Sequence, residues 1–139
     1  MRPTDTFRNQ HGKLVKIVQE ITAQLDDKKL AVNAAPTHNL LSSLAGVLKI
    51  HLAAEDQALY PKLISHNDAK IKNLAKQYVT EMGGIKSAFE AYQQRWSSPQ
   101  KIQANPATFV QETRGVFDVL AKRIYKEDNE LYPLLDKAA

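Results

Sequence analysis

Six ionisable residues stand where apolar ones belong. His11, His51, Glu55, Glu81, Arg123 and Glu127 each fall within a run of apolar residues spaced three and four apart, the period of one face of an α-helix. A buried charge is costly unless it is paired or bound to a metal. Imidazole and carboxylate groups are ligands for Fe, Mn, Zn or Ni. His51 and Glu55 lie four residues apart, so on a helix both reach one ion. The chain has no cysteine, which excludes disulfides, thiolate zinc sites, iron–sulfur clusters and cysteine nucleophiles. Any metal is therefore held by nitrogen and oxygen. Of the four histidines, His38 and His66 fall at helix ends and read as exposed or capping, which leaves His11 and His51. No Ser/His/Asp order, phosphate loop or dinucleotide fingerprint is present.

Four amphipathic helices would have to position these groups. The first runs from about Thr4 to Asp26, with the seam Phe7, His11, Leu14, Val18, Ile21, Leu25. Ala35-Pro36-Thr37 opens a second, with proline in a first turn, and its seam is Leu41, Leu44, Leu48, His51, Glu55, Ala58. The segment Asp27 to Ala35 between them reads as a mobile connection. The cluster Ser65-His66-Asn67-Asp68 caps a third helix, with the seam Ile71, Leu74, Tyr78, Glu81, Ile85, Ala88, Tyr92. Trp96-Ser97-Ser98-Pro99 ends it. Asn105-Pro106 begins a fourth, with the seam Phe109, Thr113, Val116, Leu120, Arg123, Glu127, Leu131, Leu134. The connection before it is long enough to hold extra local structure. Gly83-Gly84 inside the third helix would permit close helix packing, a kink or a pocket beside Glu81.

The predicted fold is all-α, an up-down-up-down antiparallel four-helix bundle that forms a single domain over residues 1–139. In such a bundle facing residues have a nearly constant index sum. The sum is about 64 for the first pair, about 133 for the second and about 203 for the third. His11 then faces the space between His51 and Glu55, which faces Glu81, which faces Arg123. All six groups fall within about one helical turn of one cross-section.

A second signal is an internal repeat. Glu55-Asp-Gln-Ala-Leu-Tyr-Pro-Lys-Leu63 and Glu127-Asp-Asn-Glu-Leu-Tyr-Pro-Leu-Leu135 match at six of nine positions, at an offset of 72. The same offset places Arg123 where the first copy has His51. Tyr60 and Tyr132 read as packing residues with a hydroxyl at a helix end, and Pro61 and Pro133 as residues that kink or end their helices.

On these residues the chain resembles the hemerythrin-like (HHE cation-binding) family. The matching segments are Asn9-Gln10-His11, His51-x-x-x-Glu55-Asp56 with Leu59-Tyr60-Pro61, and Ile124-x-x-Glu127-Asp128 with Leu131-Tyr132-Pro133. The resemblance implies a four-helix bundle around a non-haem di-iron centre. It also implies work in dioxygen binding, oxygen or redox sensing, nitric-oxide handling or iron homeostasis. Two departures stand out. The family's third helix usually gives two histidines, and here that region holds Gln77, Tyr78, Glu81 and Met82. Its fourth helix usually gives one more, where this chain has Arg123. By spacing from that lost histidine Asp128 matches a bridging carboxylate, whereas the seam phase turns Glu127 inward.

The ligand set read from the sequence is thus His11, His51, Glu55, Glu81 and Glu127, with Arg123, Asp128 and Tyr78 beside it. Three carboxylates and one arginine sum to −2, the balance for one divalent ion. The metal reading is a mononuclear or altered two-metal site for non-haem iron or another divalent metal, taking a small ligand such as dioxygen, nitric oxide or peroxide, or handling metal. The alternative is a metal-free regulatory or interaction module in which Arg123 and the carboxylates form a closed network in place of the metal. A third reading is an oxidase-type enzyme. The net charge of +4, from 19 basic and 15 acidic residues, forms no dense basic stripe of the kind nucleic acid requires. The polar start of the chain and the lack of a long apolar run predict a cytoplasmic protein without leader or membrane span.

Overall fold

The computed structural model describes residues 2–138, and among these there is helix and no strand. The all-helical reading holds. Four long segments carry the molecule: α1 (Asp5–Thr22), α3 (Ala35–Ala54), α5 (Ala69–Arg95) and α7 (Pro106–Lys126). Short helices fill in around them: α2 (Asp27–Val32), α4 (Tyr60–Ile64), α6 (Pro99–Ala104) and α8 (Tyr132–Ala138). α1 packs along α3 and α7, α4 along α5, and α5 along α7.

The Asp27 to Ala35 connection is structured rather than mobile. The Asp26 carboxylate caps α2 by accepting from the Lys28 and Lys29 backbone N–H groups at 2.9 and 3.1 Å, which satisfies donors a helix start leaves open. Leu30 anchors α2 in the core. The last connection does hold a helix, α6, started by Ser98 and Pro99 and anchored by the buried Ile102. Gly83 and Gly84 mark no close approach: α5 runs through them without a break, and a Cβ on either would meet nothing within 4 Å.

Both repeat copies adopt one backbone form. Residues Glu55–Leu59 and Glu127–Leu131 are single π-helical turns set between α-helical segments. The Tyr60 N–H donates to the Glu55 carbonyl and the Tyr132 N–H to the Glu127 carbonyl, five residues back. Proline is the cause. Pro61 and Pro133 have no N–H, and their rings clash with the carbonyl four residues earlier, so the regular ladder cannot continue. A widened turn absorbs the conflict and the helix resumes.

That extra residue rotates the buried face. The seams predicted Ala58 and Leu134 inside. Instead Leu59, Tyr60 and Leu63 are buried in the first copy and Leu131, Tyr132 and Leu135 in the second, while Ala58 is exposed. On α5 the predicted Tyr78 and Tyr92 are buried, but Ala75, Met82 and Phe89 are buried in place of their neighbours Leu74, Glu81 and Ala88.

Apolar packing falls into two clusters. The larger includes Leu14, Leu44, Leu48, Phe109, Phe117 and Leu120. The smaller includes Phe7, Leu59, Leu63, Leu131 and Leu135. In sequence His11 lies between Phe7 and Leu14, Glu55 between Leu52 and Leu59, and Glu127 between Ile124 and Leu131, members of the two clusters. In the larger cluster Trp96 meets Phe109 edge-on at 5.3 Å between ring centroids, and its indole N–H donates to Glu112 at 2.8 Å. Phe109→Ala should lower stability by about 3–5 kcal/mol, read from the fluorescence of Trp96, the sole tryptophan. A loss below about 1 kcal/mol would show that Phe109 does not anchor this end.

Candidate metal centre

His11 on α1, His51 on α3, and Glu55 and Glu127 at the starts of the two π turns are all buried. Each offers a ligand atom within 4.8 Å of the others. His11 Nε2 lies 3.1 Å from His51 Nε2 and 3.2 Å from Glu127 Oε1. His51 Nε2 lies 3.2 Å from Glu55 Oε1 and 3.9 Å from Glu127 Oε1.

Their outward atoms fix what the inward atoms can do. His11 Nδ1 is 2.8 Å from Asp128 Oδ1. A carboxylate only accepts, so Nδ1 carries the proton. His51 Nδ1 is 2.7 Å from Gln10 Oε1 and is held as a donor in the same way. With both protons on Nδ1, the two neutral imidazoles aim bare Nε2 lone pairs at each other and at two carboxylates. The tyrosines hold the carboxylates crosswise. Tyr132, from the second repeat, donates to Glu55 Oε2 at 2.8 Å. Tyr60, from the first, donates to Glu127 Oε2 at 3.2 Å. Each carboxylate therefore turns its Oε1 into the cluster, and Glu55 Oε1 has no hydrogen-bond partner.

Four acceptors that converge in a buried space require a positive charge between them. Donors about 2.1 Å from one ion stand roughly 3.0 to 3.4 Å apart, and three of the four separations above are 3.1 or 3.2 Å. The residues present fit a divalent metal. Asp128 and Gln10 are placed to orient the two imidazoles, the role that carboxylate and amide partners take behind metal-binding histidines.

Without a metal, a proton takes that position. Burial alone would lower the His51 pKa, but the Glu127 and Glu55 carboxylates overcome it and hold it up to about 9. Burial raises Glu55 to about 7 despite its contact with His51, with the Glu127 charge adding to the rise. Glu127 would also be raised by burial, but the His11 and His51 imidazoles against it keep it well below the ordinary carboxylate range. Burial and then the two carboxylates push the Tyr132 phenol far up, so it stays a neutral donor.

The other residues read from the sequence lie elsewhere. Glu81 does not join the cluster. Met82 takes the buried position on α5 and leaves the Glu81 side chain 40% exposed, paired with Arg123 at 3.0 Å. Arg123 is buried, donates also to the Tyr78 carbonyl, and stacks over the Tyr78 ring at 4.2 Å. The Tyr78 hydroxyl donates to Glu130 at 2.7 Å, away from the cluster. From the sequence Gln10 is legible only as part of the Asn9-Gln10-His11 match, and Tyr60 and Tyr132 as packing residues with a hydroxyl at a helix end. Their repetition beside Glu55 and Glu127 was the available signal.

An all-helical protein with a buried imidazole–carboxylate cluster belongs among the helical metal-binding domains. A family model, the hemerythrin HHE cation-binding domain, matches residues 2–135, and the chain belongs to that family. No curated protein and no solved structure matches it. Among the described residues no helix is long and apolar enough to cross a membrane.

The protonated centre sets a pH dependence. His51 in the metal-free protein keeps its proton to about pH 9, against 6.5 for the free group. The stability it contributes is complete below about pH 6.5 and is lost as the pH rises to 9. The raised pKa of Glu55 acts in the same direction. The melting temperature of the metal-free protein should therefore fall between pH 6.5 and 9, and His51→Gln should flatten the fall; an unchanged profile would contradict the assignment. Tyr132→Phe, which frees the outer oxygen of Glu55, should weaken metal binding by roughly 10- to 100-fold, measured by competition with a chelator.

Proposed function

We propose that this protein is a hemerythrin-like non-haem metal protein of the cytoplasm, with iron as its metal, and that it binds or senses a small ligand such as dioxygen, nitric oxide or peroxide. Its four long segments form an up-down-up-down antiparallel bundle and a single domain. The observation that carries this reading is the convergence of His11 Nε2, His51 Nε2, Glu55 Oε1 and Glu127 Oε1 within 4.8 Å, with Glu55 Oε1 buried and without a hydrogen-bond partner. His11, His51, Glu55 and Glu127 hold the metal, which when bound supplies a Lewis-acidic and redox-active centre for the ligand.

The chain's own residues do the rest. Asp128 and Gln10 fix the imidazoles so that both Nε2 atoms face inward. Tyr60 and Tyr132 fix the carboxylates. Phe7, with its ring 5.8 Å from that of Tyr132 and 6.5 Å from that of His51, shields one side from water. Metal binding displaces the proton on His51, so affinity rises with pH.

The metal-free reading needs Arg123 to neutralise the cluster. Arg123 instead spends its hydrogen bonds on Glu81 and the Tyr78 carbonyl, which favours the metal. The test is metal analysis of protein purified without added metal, with His51→Ala beside it. We expect bound metal in the native protein, its loss in the variant, and a lower melting temperature on chelation. Substoichiometric metal that the substitution leaves unchanged would overturn the reading.

A further inference from the structure

We infer that the centre holds one metal ion per chain, because Arg123 occupies with a fixed positive charge the place where the internal repeat would put a second ion's histidine; the inference rests on the metal reading above. The repeat is structural as well as sequential. Glu55 and Glu127 both open a π turn, Tyr60 and Tyr132 both follow one, and each tyrosine holds the other copy's glutamate. His51 and Arg123 are the paired positions one turn earlier, both buried. His51 turns into the cluster. Arg123 reaches to α5, where Glu81 neutralises it at 3.0 Å and the Tyr78 ring lies beneath it.

Charge and ligand supply both stop at one ion. Glu55 and Glu127 bring −2 to the cluster, the balance for one divalent ion, and Glu81 is already committed to Arg123. A guanidinium stays protonated in proteins, so it cannot give way or become a ligand. The residues of α5 at this level, Gln77, Tyr78, Glu81 and Met82, include no imidazole. A second ion would sit against a buried cation with no nitrogen ligand of its own.

The experiment loads the intact protein with Mn(II), counts bound ions by elemental analysis, and records the electron paramagnetic resonance spectrum. We expect one ion per chain and the six-line signal of an isolated ion. Arg123→His, which restores the repeat, should raise the count to two and give a spin-coupled spectrum. Two ions in the native protein would overturn this inference and leave the metal reading standing. A folded Arg123→His protein that still binds one ion would also overturn it. No bound ion at all would overturn both, so the two failures are distinguishable, and the native spectrum decides even if the variant does not fold.

Discussion

The arrangement around the cluster depends on one constraint. Two carboxylates and two imidazole lone pairs are removed from water and aimed at a common point. Such a set is stable only with a cation among them, since each buried acceptor otherwise loses its hydrogen bonding to water without replacement. A proton on His51 meets the need in part. His51 then has one Nε2–H to share between Glu55 Oε1 at 3.2 Å and Glu127 Oε1 at 3.9 Å. A divalent ion can meet all four acceptors together.

The repeat explains how a short chain builds this arrangement twice and then makes the copies differ. Proline forces a π turn in each copy, and the turn brings a glutamate and the tyrosine five residues later onto the interior face. The tyrosines then cross, each to the other copy's glutamate, so the two helical segments are tied through the ligands themselves. The copies part at His51 and Arg123. The six groups first read as one polar layer separate into a −2 cluster and a neutral Glu81–Arg123 pair beside it. The total charge is the one read from the sequence, but its partition is not.

The helical period and the index sums made His11, His51, Glu55 and Glu127 legible as neighbours, because each lies on a regular helix up to the π turn. Within the π turns ahead of Pro61 and Pro133 that arithmetic fails by one residue, which hid the roles of Tyr60 and Tyr132 and put Ala58 and Leu134 where Leu59 and Leu135 are buried. Glu81 was misplaced for a related reason. Apolar residues lie on both flanks of α5, and a rotation of one residue exchanges Glu81 for Met82. The α2 helix was missed because its six residues carry only one buried apolar side chain, Leu30, and its start depends on the Asp26 cap.

A metal ion among His11, His51, Glu55 and Glu127 would be visible by its own scattering. Anomalous diffraction from crystals of the iron-loaded protein, recorded at the iron edge, tests for it most directly. We expect a strong peak bounded by the two Nε2 atoms and the two inward carboxylate oxygens. A peak only at surface carboxylates, or no peak in protein shown by analysis to hold iron, would contradict this placement.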